Sequence, residues 1–248
     1  MEPVTLLDTI GPLLEVEDLR VMRGGIEVVH GVKLRVFTGT IATLVGPSGS
    51  GKSATLQAIA RLLPGKGTVT FGGRRMDVLR SERVARWGLV YVPQDRGLIA
   101  SLTVRENLQL GAFARRDRYA VINDVAATLD RFPDLGRRAT ARAYALSAWE
   151  STLLALGRAL MAKPRMLLLD EPTSGLPPEG VAEMFALIVQ LSGQGLPILL
   201  AEQYERKATA ISDYVYAMDR GTIVKAGVSR VMAFEPEVEA AHLGAAAP

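Results

Sequence analysis

The segment between residues 46 and 53 constrains this chain more than any other. It reads Gly46-Pro47-Ser48-Gly49-Ser50-Gly51-Lys52-Ser53 and directly follows the apolar run 41–45. An apolar run, a glycine loop and then periodically spaced leucines predict a strand, a loop and a helix that begins near Lys52. Such a loop turns its backbone N–H groups toward one point, and the helix N-terminus adds partial positive charge. The segment therefore predicts a polyphosphate site, in which Lys52 reaches the β- and γ-phosphates and the Ser53 hydroxyl binds Mg²⁺.

A second chemical signal lies at residues 166–172, where four apolar residues precede Asp170 and Glu171. The apolar residues predict a buried strand, and parallel α/β sheets bind ligands at the carboxyl ends of their strands. We expect Asp170 to hold the metal from the side opposite Ser53. Glu171 is then placed to orient a water molecule or to accept its proton. An apolar run ending in two acids is weak evidence alone, but it becomes strong beside the glycine loop.

The remaining apolar runs predict an α/β core interrupted by a helical insertion. Several early runs alternate as half-exposed strands do, and one of them enters a Gly-Gly turn typical of a hairpin. These early runs are residues 14–21, 26–29, 32–37 and 67–71. Later runs are continuously apolar and separated by helical stretches, which favours a parallel sheet covered on both faces. These later runs are residues 89–92, 166–169, 197–201 and 214–218, and residues 95–150 have helical spacing between them.

Composition excludes several other classes of protein. The chain has 248 residues, of which 48% are hydrophobic and 22% charged, and this balance is typical of a globular protein. A net charge of +3 is too small to indicate nucleic acid as a partner. The chain has no cysteine, so disulfide and thiolate chemistry are excluded. No apolar run approaches 18 residues and the first residues lack the pattern of a signal peptide, so we expect no membrane-spanning segment.

Taken together, the motifs resemble those of the ATP-binding-cassette (ABC) ATPases. The order is the glycine loop, Val92-Pro93-Gln94, Leu146-Ser147 and Leu169-Asp170-Glu171-Pro172-Thr173. The resemblance covers residues 14–243 and is greatest for the ATPase subunits of branched-chain amino-acid importers and their urea- and amide-importing relatives. Stretches that support this subgroup are 30–32, 92–96, 101–108, 132–133, 157–161, 201–203 and 241–244.

The resemblance implies a P-loop NTPase cassette with an N-terminal antiparallel β region and an inserted helical subdomain. Residues 1–12 would be a leader, residues 13–94 and 151–227 the catalytic core, residues 95–150 the helical subdomain and residues 228–248 a tail. ATP and Mg²⁺ would be the cofactors. In this family, two such domains enclose two ATP molecules, and each site combines the P-loop of one chain with the signature motif of the other. The helical subdomain would contact permease subunits at the cytoplasmic face of the inner (plasma) membrane.

The resemblance also assigns Gln94 to the metal or the attacking water, and Gln203 to the γ-phosphate. Most ABC ATPases have a histidine at the position of Gln203, and a glutamine amide donates a hydrogen bond but never carries a positive charge. Arg23 replaces the aromatic residue that stacks on adenine in the family. A guanidinium plane also stacks on a base, so Arg23 either contacts the adenine or points into solvent.

The signature motif departs furthest from the family. Leu-Ser-Gly-Gly is usual, whereas this chain has Ser147, Ala148 and Trp149 after Leu146. Glycine lets a helix N-terminus approach the partner's γ-phosphate without a Cβ in the way. We expect the indole of Trp149 to crowd that position and slow hydrolysis there, unless it turns aside and packs on the helical subdomain.

Two main functions remain open from the sequence. The first is an ATP-hydrolysing importer subunit that pairs with a second ATPase having an intact signature, because a homodimer would place Trp149 at both sites. The alternative is an ATP-dependent dimerisation clamp with little turnover, although Glu171 beside Asp170 counts against a pure binding module. An ABC protein acting on DNA or ribosomes is disfavoured, since no strong basic stripe is present. A P-loop kinase or GTPase would leave Gln94 and Leu146-Ser147 as coincidences.

Overall fold

The computed structural model describes residues 11–232, which form two β-sheets and a group of helices. Residues 1–10 of the expected leader and residues 233–248 of the expected tail lie outside the described residues, as does the subgroup stretch 241–244. Within residues 11–232, no helix is both long enough and apolar enough to cross a bilayer.

The N-terminal sheet is antiparallel, as the family resemblance implies. Its strands lie in the order β2-β1-β4-β5. Their bounds are Leu14–Arg23 for β1, Ile26–Val36 for β2, Gly65–Phe71 for β4 and Arg74–Arg75 for β5. The two runs expected at 26–29 and 32–37 form the single strand β2, which passes through Gly31 at a positive φ of 77°. The hairpin expected at Gly72-Gly73 joins β4 to β5.

The second sheet has six strands in the order β10-β9-β3-β8-β7-β6. Their bounds are Ile41–Val45 for β3, Leu89–Val92 for β6, Met166–Asp170 for β7, Ile198–Glu202 for β8, Tyr214–Asp219 for β9 and Thr222–Val228 for β10. Strands β6, β7, β8, β3 and β9 are parallel, and β10 pairs with β9 in the antiparallel sense at the edge. Every residue of β3, β7 and β8 is buried, because both faces of the sheet are covered as predicted.

Successive residues of the central strands pack into different clusters on opposite faces of this sheet. Leu44 and Leu168 pack on the side of the antiparallel sheet and helix α1, Lys52–Ile59. Leu167 and Leu169 pack on the other side, against helix α7, Pro178–Gly193. Three short helices complete the core, namely α2 at Ser81–Arg86, α8 at Glu205–Ile211 and α9 at Ser229–Met232.

The insertion is helical, and its helices share a separate apolar cluster that includes Val104, Val125 and Leu154. Its helices are α3 at Val104–Gly111, α4 at Arg118–Arg131, α5 at Pro133–Gly136 and α6 at Ala148–Leu160. Helix α6 continues across the boundary expected at residue 150. It contributes Leu154 to the cluster of the insertion and Leu156 to the core, so it connects the two.

Candidate functional site

The residues selected from the sequence gather at the carboxyl ends of adjacent parallel strands. The glycine loop follows β3, Asp170 ends β7 with Glu171 directly after it, Gln203 directly follows β8, and Gln94 lies two residues after β6. In the strand order β3-β8-β7-β6, these ends share one edge of the sheet. The sequence therefore brings a glycine loop and two acids together at the edge where parallel sheets place ligands.

The glycine loop has a backbone that side chains would not tolerate at two positions. A Cβ on Gly46 (φ 148°) would lie 2.1 Å from the carbonyl oxygen of Met218, and Gly51 has φ 103° with the carbonyl oxygen of Val28 at 2.9 Å from its Cβ position. The loop thus lies directly against the neighbouring backbone. Pro47, Ser48 and Gly49 are exposed at its outer surface, whereas Ser50 is buried beneath them.

Helix α1 begins at Lys52, as predicted, and its N-cap Gly51 supplies no side-chain cap. The first N–H groups of a helix have no partner within the helix, so they are available to an anion at this end. The Lys52 side chain is only 3% exposed. Its Nζ donates to the carbonyl oxygens of Gly46 at 2.8 Å and Pro47 at 3.1 Å, and lies 3.5 Å from Oε1 of Glu171. The ammonium group therefore lies inside the loop and beside the acid that follows β7.

Ser53 and Asp170 are in direct contact, because the Ser53 hydroxyl donates to Oδ1 of Asp170 at 2.9 Å. Neighbouring ligands of an octahedral Mg²⁺, each about 2.0–2.1 Å from the ion, lie about 2.9 Å apart. The two oxygens thus have the separation that one such ion requires. Within residues 11–232, no cluster of three or more acidic, histidine or cysteine side chains could hold a metal. A site of few protein ligands suits Mg²⁺, which completes its shell with water and substrate phosphates.

The second oxygen of Asp170 accepts a hydrogen bond from a residue that the sequence did not single out. The Tyr91 hydroxyl donates to Oδ2 at 2.7 Å. Burial raises the pKa of Asp170, while the hydrogen bonds from Tyr91 and Ser53 oppose that rise. Burial, and then the nearby charge of Asp170, raise the pKa of Tyr91, so its phenol stays protonated and remains a donor.

Glu171 accepts hydrogen bonds from both glutamines that were assigned from the family resemblance. Gln94 Nε2 donates to Oε2 of Glu171 at 2.8 Å, and Gln203 Nε2 donates to the same oxygen at 2.6 Å. Glu171 is 7% exposed and has a positive φ of 45°, which turns the chain away from the strand direction. The carboxylate is therefore held by two amides on one oxygen and faces Lys52 with the other.

A buried acid connects the loops that carry Glu171 and Gln203. Glu202 is 1% exposed, and its Oε1 accepts from the hydroxyl of Thr173 at 2.6 Å and from the Thr173 N–H at 3.2 Å. Its Oε2 accepts from the N–H of Gln203 at 3.1 Å. Burial raises the pKa of Glu202, and these hydrogen bonds oppose the rise. This residue was not predicted from the sequence, although an acid at the end of an apolar run is the same signal that marked Asp170.

The indole of Trp149 is turned aside onto the helical insertion. It packs beside Leu146 in that cluster, and its Nε1 donates to Oδ2 of Asp134 in α5 at 3.2 Å. This is the second of the two arrangements considered from the sequence, and it differs from the expected crowding of the helix N-terminus. Ser147 is the exposed N-cap of α6 and forms a capping box with Glu150, and Ala148 is the first residue of the helix.

Arg23 is exposed at the end of β1, opposite Ile26. None of the hydrogen bonds or ion pairs among the described residues joins its guanidinium to the glycine loop. Its assignment to the adenine therefore stays a prediction.

An open groove separates the core from the helical insertion. Its walls come from α2, β6, α3 and α6, and Phe113 beside it is 84% exposed. The side chains that bring charge or aromatic surface to this groove are Arg86, Tyr91, Phe113, Arg115, Arg116 and Arg158. Tyr91 thus lines the groove and also contacts Asp170 through its hydroxyl.

Comparisons with known proteins find similar sequences and similar folds. A family model described as "ABC transporter" matches residues 29–174. The chain is 35% identical to the high-affinity branched-chain amino acid transport ATP-binding protein BraG of Pseudomonas aeruginosa, over 94% of this chain and 100% of the relative. It is 33% identical to a probable branched-chain amino acid transport ATP-binding protein, LivF, of Archaeoglobus fulgidus, over 88% of this chain and 93% of the relative.

Solved structures of similar fold include a nucleotide-free ATP-binding cassette from an ABC transporter. It has a TM-score of 0.81 and 24% identity, and the match covers 94% of this chain and all of that one. The ADP conformation of MJ1267, an ATP-binding cassette of an ABC transporter, has a TM-score of 0.80 at the same identity, with 94% of this chain and 99% of that chain covered. At this identity, the likeness establishes the fold.

Proposed function

Because this chain belongs to the ABC transporter family, we propose that it is the ATP-binding and ATP-hydrolysing subunit of a membrane importer. Its solute is proposed to be a branched-chain amino acid or a related small polar molecule, since the similar proteins BraG and LivF are named for branched-chain amino acid transport. The proposal rests on one observation, the convergence of Lys52, Ser53, Asp170 and Glu171 at one edge of the sheet.

The triphosphate of ATP is proposed to bind the loop of residues 46–53. Lys52 would exchange its contact with Glu171 for the β- and γ-phosphates, because a phosphate brings more negative charge than one carboxylate. The ammonium is already desolvated and aimed into the loop, so little rearrangement is needed. The N-terminus of α1 supplies further positive potential.

Mg²⁺ would lie between Ser53 and Asp170 and, when bound, neutralise the charge that develops on the phosphates. Gln94 is proposed as a further contact to this ion or to the water. Glu171, released from Lys52, would then face the attacking water and accept its proton. The amides of Gln94 and Gln203 hold one of its oxygens and leave the other free. Gln203 is close enough to Glu171 to serve the same γ-phosphate.

Permease subunits are the proposed partners in the membrane, and the chain would lie at the cytoplasmic face of the inner membrane. The groove between the core and the helical insertion is the proposed place of contact. It lies beside β6 and the segment leading to Gln94. A movement there can therefore reach Glu171 through the Gln94 amide.

The proposed second partner is another ABC ATPase, so that the working unit is a heterodimer. The support for this proposal is the signature segment, in which Ala148 and Trp149 replace the two glycines. The indole of Trp149 is turned aside onto Asp134, so the support comes from Ala148, whose Cβ lies at the first residue of α6 where the family has glycine. In a partner with both glycines, the N-terminus of the signature helix would approach the phosphates at Lys52 more closely.

Two substitutions test the function and separate it from the alternative, a clamp with little turnover. Lys52→Ala should weaken binding of Mg-ATP by at least about tenfold, because it removes the ammonium from the phosphate loop. Glu171→Gln should keep that binding and lower ATP turnover of the assembled complex by about a hundredfold or more. Equilibrium titration measures the first quantity and phosphate release the second.

Lys207→Ala is the matched control for Lys52→Ala, since Lys207 lies in exposed surface on α8. Unchanged ATP binding in Lys52→Ala would contradict the nucleotide site. Turnover that is negligible in the parent complex, with ATP still bound, would instead support the clamp.

A further inference from the structure

Tyr91 occupies a position between the core helix α1 and the proposed metal ligand. Its hydroxyl accepts a hydrogen bond from Nε2 of Gln57 at 3.2 Å and donates to Oδ2 of Asp170 at 2.7 Å. A phenol has one proton, and the amide nitrogen can only donate, so the proton of Tyr91 is directed to the carboxylate. Gln57 is on α1, the helix that also carries Ser53.

The two oxygens of Asp170 are thereby made unequal. Oδ1 faces Ser53, the other proposed metal ligand, whereas Oδ2 is taken by Tyr91. Asp170 is 2% exposed, so water does not readily replace the phenol. A carboxylate oxygen that already accepts a hydrogen bond is a poorer cation ligand, so this carboxylate favours binding a cation through Oδ1 alone.

Cations differ in what they require from a carboxylate. Mg²⁺ is small, prefers six ligands in an octahedron and is bound through single carboxylate oxygens. Ca²⁺ takes six to eight ligands at about 2.3–2.6 Å and often uses both oxygens of one carboxylate. A group that occupies one of the two oxygens therefore disfavours Ca²⁺ more than Mg²⁺.

We propose that Tyr91 is a specificity-determining positioning residue, which keeps Asp170 a one-oxygen ligand and so makes the nucleotide site prefer Mg²⁺ to Ca²⁺. This inference rests on the proposed function, because the cation arrives with a nucleotide. Tyr91 acts through Asp170 and does not itself touch the cation. Tyr91 is among the residues that line the groove beside the helical insertion, so the groove adjoins the residue that orients Asp170.

Tyr91→Phe removes the hydroxyl and keeps the ring. Oδ2 of Asp170 then becomes available to a cation, and the carboxylate loses the partner that orients it. Removing an outer partner of a metal ligand typically lowers metal affinity by about 10–100-fold. We expect the Mg²⁺ affinity of the nucleotide complex to fall in this range and the ratio of Mg²⁺ to Ca²⁺ affinity to fall by about tenfold.

The measurement uses Mn²⁺ as an octahedral probe of the purified chain with a non-hydrolysable ATP analogue. Electron paramagnetic resonance gives the bound Mn²⁺, and displacement by Mg²⁺ and by Ca²⁺ gives the two affinities without any turnover. Displacement from the analogue alone supplies the background. Tyr119→Phe is the matched control, because Tyr119 is 90% exposed on α4 and loses the same atom.

The inference would be overturned if the ratio of Mg²⁺ to Ca²⁺ affinity in Tyr91→Phe lies within twofold of the parent ratio and Tyr119→Phe is also unchanged. Gln57→Met provides a second test, since it removes the donor that anchors the phenol, and a smaller fall in the same ratio is expected. If Tyr91→Phe fails to fold, an unchanged ratio in Gln57→Met overturns the inference in its place. Absence of nucleotide-dependent Mn²⁺ binding in the parent would contradict the proposed function instead.

Discussion

Substitution of Thr173 by valine tests how the loops that carry the site are held together. Thr173 is 1% exposed, and its hydroxyl donates to Oε1 of Glu202 at 2.6 Å. Valine keeps the shape of threonine and removes only this donor. A hydrogen bond to a charged group contributes about 1.5–3 kcal/mol. For a chain of this size each kcal/mol lowers Tm by about 2–4 °C, so we expect Tm to fall by about 3–12 °C.

The size of this fall should depend on pH. Burial raises the pKa of Glu202 and the Thr173 hydrogen bond lowers it, so loss of the hydroxyl raises the folded-state pKa further. The unfolded value stays at about 4.3. When a carboxyl group has a higher pKa in the folded state, the folded protein loses stability as the pH rises from the unfolded-state pKa through the folded-state pKa. The deficit of Thr173→Val should therefore be smallest near the unfolded pKa and greatest above the folded one.

Thermal unfolding followed by circular dichroism, at several pH values between about 5 and 9, measures both effects. Thr140→Val is the control, because Thr140 is exposed in a loop of the helical insertion. A Tm equal to that of the parent would refute the assigned hydrogen bond. A deficit that stays constant over this pH range would refute the ionised state of Glu202 on which the argument depends.

Two further predictions concern packing and assembly. Gly111→Ala should destabilise the chain by more than about 2 kcal/mol, because the new Cβ would lie 2.1 Å from the carbonyl oxygen of Arg158. Gly193→Ala is the control, since its Cβ would enter open space, and it should leave Tm nearly unchanged. With Mg-ATP, Glu171→Gln should stay monomeric alone and form a dimer with a second ATPase that has Leu-Ser-Gly-Gly, since Ala148 places a Cβ at the first residue of α6 where that motif has glycine. Sedimentation velocity measures this, and a homodimer of Glu171→Gln alone would contradict it.

Much of the fold could be predicted because its signals are local. A glycine loop between an apolar run and a leucine-rich helix specifies its own geometry, and α1 begins at Lys52 as expected. Continuous apolar runs predict strands buried on both faces, and β3, β7 and β8 are buried throughout. The edge strand β10 was not predicted, because four of its seven residues are exposed and its sequence has no strong alternation of polarity.

Contacts between strands could not be predicted in the same way. Tyr91 reaches Asp170 because β6 lies next to β7, and the order of strands in a parallel sheet depends on crossover connections. A tyrosine near the end of an apolar strand was a visible signal, but its partner was not. Glu202 meets Thr173 for the same reason, through the pairing of β7 with β8.

The direction of the Trp149 indole also could not be predicted from the sequence. A tryptophan in the first turn of a helix can point toward the end of the helix or toward its flank, and the choice depends on what the flank offers. Here the flank offers Leu146, other apolar side chains and a carboxylate, Asp134, within reach of Nε1. The buried area of the ring and this hydrogen bond both favour the flank.

The order of the two adjacent acids is what separates their roles. Asp170 ends β7 on the face shared with Leu168, which is the face of α1, so its carboxylate meets the Ser53 hydroxyl. Glu171 comes one residue later with φ 45°, and the chain turns it toward Lys52 and the two glutamines. Asp170 thus faces the helix that carries Ser53, whereas Glu171 faces the ammonium group inside the glycine loop. Exchanging the two residues would therefore place the longer acid against Ser53, and the shorter one would not span the distance to the amides.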